Sequence, residues 1–223
     1  MPKKATEGQC ALCKKTFSKG SIGRHLTVCL NEKPPRSAAK AVPAFHLVVQ
    51  DRYASDYWLH LLAPITATLD ELDDLLRGIW LECCGHLSAF EIDRQHFSKV
   101  CFDEFDDDQD MNVRLSDVLK PGMKFRHDYD FGSTTTLVLQ VKEMCEAAFR
   151  KNEKIVLLAR NIAPEIPCAV CGKPAAHVCT ECAYDGAGWL CRKCLTKHDC
   201  GDEMALPVVN SPRVGVCGYT GPL

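Results

Sequence analysis

Eight residues between Cys168 and Cys200 constrain this chain more than any other feature. They are Cys168, Cys171, Cys179, Cys182, Cys191, Cys194, His198 and Cys200. They fall into four short-spaced pairs, and both members of each pair can reach one ion. Zn²⁺ takes four thiolate or imidazole ligands in a tetrahedron, two from each of two such pairs. Repeated Cys-x2-Cys pairs at this density point to metal, where a lone pair would not.

The cysteine total supports that reading. Fifteen cysteines in 223 residues imply either a disulfide framework or metal ligation in a reducing compartment. The opening Met-Pro-Lys-Lys-Ala-Thr-Glu-Gly lacks the apolar core of a secretory leader. No apolar run approaches the roughly 20 residues of a membrane span. The expectation is therefore metal binding in the cytoplasm. Charge is segregated beneath a net −2: residues 1–40 carry +7, residues 41–166 carry −9, and residues 167–223 balance. A basic arm of this kind suits an anionic partner, or equally a solvated tail.

Within that arm, Cys10, Cys13, His25 and Cys29 have the spacing of a CCHC finger. Phe17 and Ile22 stand where a ββα finger packs its small core. His25 and Cys29 are one helical turn apart and so share a face. A unit this short folds only with its metal. The pattern resembles the two-Cys, two-His finger family, with Cys29 in place of the last histidine. That resemblance puts the base-contacting positions near Ser18, Ser21 and Arg24, and one finger reads about three base pairs. Lys14, Lys15, Lys19 and Arg24 are candidate phosphate contacts; a structural or protein-contact finger is the other reading. Residues 31–42 have the composition of a semi-flexible linker.

Residues 43–165 read as an α+β body. Strands are expected at Phe45–Val49, Tyr57–Leu62, His86–Ile92 and Thr134–Val141. Lys154–Ala159 is expected to close a hairpin with the last of these. Thr68-x-x-Glu71 is a capping box opening a helix. Leu69, Leu72, Leu75, Leu76 and Ile79 mark its apolar face, and its acidic run reads as the wet side. Asp106, Asp108, Asp110 and Asn112 have the first offsets of a calcium loop. Met111 stands where glycine is needed, and Asp117 where a bidentate Glu is needed, so a solvated acidic loop is expected. Asp128 and Asp130 bracket Tyr129 in a presumed strand; they suit either a divalent ion or the wet face of an edge strand. His46, His60, His86, His96 and His127 occur singly. Cys83, Cys84, Cys101 and Cys145 lack partner spacing and read as small core residues.

The order of these elements, with "TLDELDDLL", "HLSAFEI", "LSDVLKPGMKFRHDYDFG" and above all Tyr129-Asp130-Phe131-Gly132, resembles the plasmid-Ri ORF-three-like domain family over about 110 residues. The resemblance implies an α+β fold and no agreed activity. The family pattern continues after the glycine with Asp, Trp and His, whereas this chain has Ser133, Thr134 and Thr135.

Beyond Pro167, the ligands suit two zincs in a cross-brace. Cys168, Cys171, Cys191 and Cys194 would hold one ion. Cys179, Cys182 and His198 would hold the other with a further thiol. The spacing resembles B-box and treble-clef-like modules, which makes Cys200 the first choice for that thiol. Cys217 is the rival, on a returning tail, and His177 the outsider. Sequential pairing, 168/171/179/182 and 191/194/198/200, is the other topology. All positions being filled, the zincs read as structural.

The expectation is an α+β protein in three parts: a ββα-type zinc finger (1–30), a mixed α/β central domain after the linker, and a cross-brace zinc module (166–223). It would bind about three Zn²⁺ and serve as a non-enzymatic interaction protein. A protein partner is expected, and nucleic acid is a candidate through the basic finger. Neither a membrane nor a small-molecule substrate is indicated. The alternative is a metal-dependent enzyme acting on nucleic acid through Asp128, Asp130 and the acidic loop.

Overall fold

A computed structural model describes residues 6–32, 40–99, 108–150 and 153–222. The chain divides into two units, Met1–Leu75 with Leu87–Ile162, and Leu76–His86 with Ala163–Leu223. Strand dominates, in one large sheet and one small one.

The first unit begins with β1 (Glu7–Cys10), β2 (Thr16–Ser18) and α1 (Lys19–Glu32). Two long strands follow, β3 (Val42–Asp51) and β4 (Trp58–Pro64), then α2 (Leu69–Leu76). Next come β5 (Ser88–Ile92), β6 (Gln95–Ser98), β7 (Gln109–Asp110) and the short α3 (Leu115–Val118). The unit ends with β8 (Lys124–Tyr129), β9 (Thr135–Ala147) and β10 (Val156–Asn161). All ten strands form one sheet in the order β2-β1-β10-β4-β3-β9-β8-β5-β6-β7.

Alternation assigns the two faces of that sheet. Leu47 pairs with Leu61 and Val141, Val49 with Leu59 and Leu139, and His127 with Leu137 and Phe90. All nine side chains are fully buried on one face. α2 lies over this face. Its first turn is closed by the expected capping box: the Glu71 N–H donates to Thr68 Oγ1 and the Thr68 N–H to Glu71 Oε2, both at 3.2 Å. The acidic run is not all wet, however. Asp73 is completely buried and accepts a 2.7 Å hydrogen bond from His127 Nε2.

The other face meets α1. Ile22 and Leu26 pack there in one cluster with Trp58, Leu62, Leu158 and Ala159. The N-terminal unit is therefore no free-standing finger with a private core. β1 pairs with β10, Gly8 opposite Asn161 and Cys10 opposite Ala159, and so extends the large sheet. β10 pairs with β4 rather than with β9. The expected hairpin with β9 does not form, because β10 is the link between the ββα unit and the body.

The second unit opens with a π-turn, Arg77–Leu81, that buries Trp80 and Leu81. After residue 163 come β11 (His177–Cys179), β12 (Trp189–Leu190), α4 (Arg192–Leu195) and β13 (Ala205–Pro207). β11 is the central strand of a three-stranded sheet. The tail packs back as its apolar character implies: the Ser211 hydroxyl donates to the Trp80 carbonyl at 2.6 Å, and Tyr219 is buried. Among the described residues, no helix is long and apolar enough to cross a membrane.

Candidate metal centres

Two knuckles share one backbone design. In the first unit the Cys10 N–H donates to the Lys15 carbonyl and the Lys14 N–H to the Cys10 carbonyl, each at 2.9 Å. In the second unit the Cys168 N–H donates to the Lys173 carbonyl at 2.7 Å and the Gly172 N–H to the Cys168 carbonyl at 2.9 Å. The offsets are identical. Each turn ends on a residue of positive φ just after the second cysteine, Lys14 and Gly172.

The first knuckle faces α1. Cys13 Sγ lies 3.3 Å from His25 Nε2, and Cys10 Sγ 4.0 Å from Cys29 Sγ. Phe17 stacks on the His25 ring with centroids 3.8 Å apart, which fixes the imidazole's direction. The four ligand atoms of Cys10, Cys13, His25 and Cys29 all lie within 4.8 Å of one another. A tetrahedral Zn²⁺ with bonds of about 2.3 Å to sulfur places its ligand atoms about 3.5–3.8 Å apart, so one ion fits.

Two further groups of the same dimensions interleave along the chain. Cys168, Cys171, Cys191 and Cys194 converge, as do Cys179, Cys182, His198 and Cys200. Cys171 and Cys191 are 3.6 Å apart through their sulfurs; Cys182 lies 3.6 Å from His198 Nε2 and 3.7 Å from Cys200. First pair thus meets third, and second meets fourth. β11 and β12 deliver Cys179 and Cys191, and α4 carries Cys194 one turn on. Cys200 completes the second group. Cys217 stands elsewhere, its sulfur 3.2 Å from His86 Nε2, in a group with Cys83 and Cys84. His177, in β11, joins neither group.

Thiol chemistry in these groups favours a cation. The backbone N–H of Cys191, backed by those of Cys171 and Val170, outweighs burial and brings the Cys168 thiol down to about 6. Burial opposes ionisation of Cys179, yet the Cys182 N–H and the His198 ring bring it down to about 7. Their neighbours move the other way. Contact with Cys200 pushes Cys182 up to about 12, and contact with Cys191 pushes Cys194 up to about 12. In the Cys179 group one thiolate forms readily and the next is repelled by it; in the Cys168 group the Cys194 N–H lowers the Cys191 thiol as well, and Cys194 takes the repulsion. A bound cation removes that repulsion and deprotonates the set.

The other candidates are placed differently. Asp128 accepts from Thr136 Oγ1 at 2.7 Å and pairs with Arg126 Nε at 2.8 Å. Asp130 lies past the end of β8 at φ +64° and accepts the N–H groups of Gly132 and Ser133. The Tyr-Asp-Phe-Gly marker is thus a turn that Asp130 closes. β8 lies inside the sheet, not at its edge, and the two carboxylates serve separate local hydrogen bonds. Asp106 and Cys101 lie outside the described residues. Asp110 accepts from the Asn112 N–H at 2.7 Å, and Met111 is fully buried.

Two histidines that occur singly in sequence meet in space. His46 Nε2 and His60 Nδ1 are 2.8 Å apart, and Glu143 approaches His46 Nδ1 at 3.6 Å. The pair floors a cleft of about 420 Å³, lined also by Lys19, Arg24 and Lys142. Ser18 and Ser21 bond each other at 2.8 Å. Lys14, Lys15 and Arg24 are exposed.

No curated protein matches this chain. Among solved structures, a protein of unknown function from Methanosarcina mazei Go1 is similar at 16% identity and a TM-score of 0.45, over 53% of this chain and 68% of that one. The model of the plasmid pRiA4b ORF-3-like protein family matches residues 46–172, more than half of the sequence, and the chain belongs to that family.

Proposed function

We propose that this is a zinc-binding interaction protein with no catalytic step of its own, whose ββα unit contacts nucleic-acid phosphates and whose C-terminal zinc module contacts protein. The observation that carries the reading is the set of three four-ligand groups, Cys10/Cys13/His25/Cys29, Cys168/Cys171/Cys191/Cys194 and Cys179/Cys182/His198/Cys200. Thiolate-rich sets with one or no imidazole suit Zn²⁺ over harder cations. All four positions are supplied by side chains, as in structural sites, so no coordination position is left for a substrate.

Exposed Lys14, Lys15 and Arg24, with Lys19 and Lys142 around the cleft, supply positive charge on the ββα side of the first unit. Such a surface holds a phosphate backbone without reading its sequence. In the second unit, Val170 and Tyr184 are 71% and 86% exposed beside the knuckles. Apolar side chains held out on metal-fastened loops suit protein contact.

Binding of a fluorescently labelled duplex between about 50 and 200 mM salt tests the nucleic-acid part. The expected result is affinity that falls with salt, a large loss in the Lys14→Ala/Lys15→Ala/Arg24→Ala variant, and a salt slope flattened by about one per contact removed. Salt-independent binding, or an unaffected variant, contradicts it.

A further inference from the structure

The groups above leave Cys217, Cys83, Cys84 and His86 without a role. All four belong to the second unit. Cys84 Sγ lies 3.7 Å from Cys83 Sγ, 3.8 Å from Cys217 Sγ and 3.1 Å from His86 Nε2, which is itself 3.2 Å from Cys217 Sγ. The two sulfur–nitrogen contacts are a few tenths of an ångström shorter than the edge of a tetrahedron around Zn²⁺, about 3.5–3.8 Å, and the two sulfur–sulfur separations match it. They are far beyond a sulfur–sulfur bond of about 2.05 Å, and all four cysteine-containing contacts involve free thiols.

Two observations independent of those distances point the same way. Arg213 is completely buried and donates from Nη2 to Cys83 Sγ at 3.5 Å. A buried guanidinium needs negative charge beside it. Three thiolates and one imidazole around a divalent cation carry one net negative charge, and Cys83 places that charge against Arg213. Cys217 itself sits at φ +48°, between Gly215 and Gly218, which also have positive φ. A non-glycine residue in that region is held there against strain, commonly where its side-chain direction matters.

We propose that Cys83, Cys84, His86 and Cys217 are a fourth metal site, for a thiophilic divalent cation such as Zn²⁺, and that it exchanges its ion more readily than the other three. Binding releases the three thiol protons to solvent and forms three metal–sulfur bonds and one metal–nitrogen bond. The site differs from the others in construction. It has no Cys-x2-Cys knuckle, and its ligands come from segments 131 residues apart. Each other group has at least one buried cysteine, while this one has none; Cys84 and Cys217 are exposed. Two of its three sulfurs are exposed, against Cys171 alone and Cys200 alone in the two knuckle groups of the same unit, so a chelator or an electrophile reaches this site more readily. The ion clasps Cys217 to the 83–86 segment, and its release loosens that contact while the knuckles stay loaded.

Native mass spectrometry of the full chain tests the site, with alkylation by N-ethylmaleimide mapped over time. The expected result is four zincs in the unaltered protein and three in Cys217→Ser. Cys84 and Cys217 are expected to be alkylated first. His86→Gln, which removes a half-buried ligand and no thiol, is expected to give the same count of three and serves if Cys217→Ser does not fold. Equal zinc counts in the unaltered protein and both variants overturn the proposal, as do first alkylation at a knuckle cysteine or a Cys84–Cys217 disulfide. Three ions in every form refute this site alone and leave the three-group reading standing.

Discussion

Lys14 and Gly172 hold the same backbone conformation, φ +63° and +69°, each one residue after the second cysteine of its knuckle. Glycine adopts that conformation without cost, whereas an L side chain pays about 1–2 kcal/mol. The same turn is thus relaxed in one knuckle and strained in the other. Lys14→Gly should stabilise the metal-loaded protein, and Gly172→Ala should destabilise it, each by about 1 kcal/mol. Urea unfolding of the zinc-loaded variants measures both, and equal midpoints would remove the parallel between the knuckles.

The His46–His60 pair makes an acid-sensitive contribution. Burial holds both imidazoles below their ordinary range, His60 at about 3. Each is therefore neutral when folded and takes up a proton on unfolding below its ordinary value of about 6.5. The unfolded state binds more protons there, so stability rises with pH across that window and falls as pH drops below about 6.5. The loss is at most about 1.4 kcal/mol per pH unit for His60. Stability against pH between 7 and 5 should be shallower in His60→Leu than in the unaltered protein. Parallel curves would contradict the burial argument, and acid release of metal affects both proteins alike.

Asp73 and His127 form a second buried pair. Burial works against the Asp73 charge, but the hydrogen bond from His127 outweighs it and holds the carboxyl below its usual range. Lys99 adds a contact at 3.3 Å. Removing one partner strands the other, so Asp73→Ala should cost about 3–5 kcal/mol. Replacing both, as Asp73→Leu with His127→Phe, should cost clearly less. Equilibrium unfolding of the three proteins decides this, and a double variant no more stable than Asp73→Ala would contradict the pairing.

Gly8 lies against the indole of Trp58, where a β-carbon would collide with the ring and stand 2.6 Å from the Arg160 carbonyl oxygen. Trp58 is fully buried and the carbonyl is backbone, so neither can move cheaply. Gly8→Ala should destabilise by about 1–3 kcal/mol through overpacking. The loss would be seen as a lower unfolding midpoint of the whole first unit. Loss confined to residues 6–32, read by hydrogen exchange, would contradict the shared core.

What the sequence revealed was short-range. Cys10 and Cys13, or Cys168 and Cys171, declare themselves because both ligands lie on one turn, and the capping box Thr68–Glu71 is equally local. Tertiary pairings were hidden. Cys84 meets Cys217 and His46 meets His60 only through the path of the chain, which no spacing rule encodes. Cys83 and Cys84 consequently read as packing residues. Asp73 was masked by Asp70, Glu71 and Asp74, which make the whole run look like a helix start. The pairing of β10 with β1 and β4 was hidden because adjacency in sequence favours a hairpin with β9. The ββα unit could not be seen to share its core with the body, since Ile22 and Leu26 fit a private core equally well.

Metal content by elemental analysis of freshly purified protein, followed by circular dichroism during chelator titration, tests the account most directly. Three or four zincs per chain are expected, with loss of β-structure signal as the ions are withdrawn. Protein that arrives without metal, and whose spectrum a chelator leaves unchanged, would contradict it.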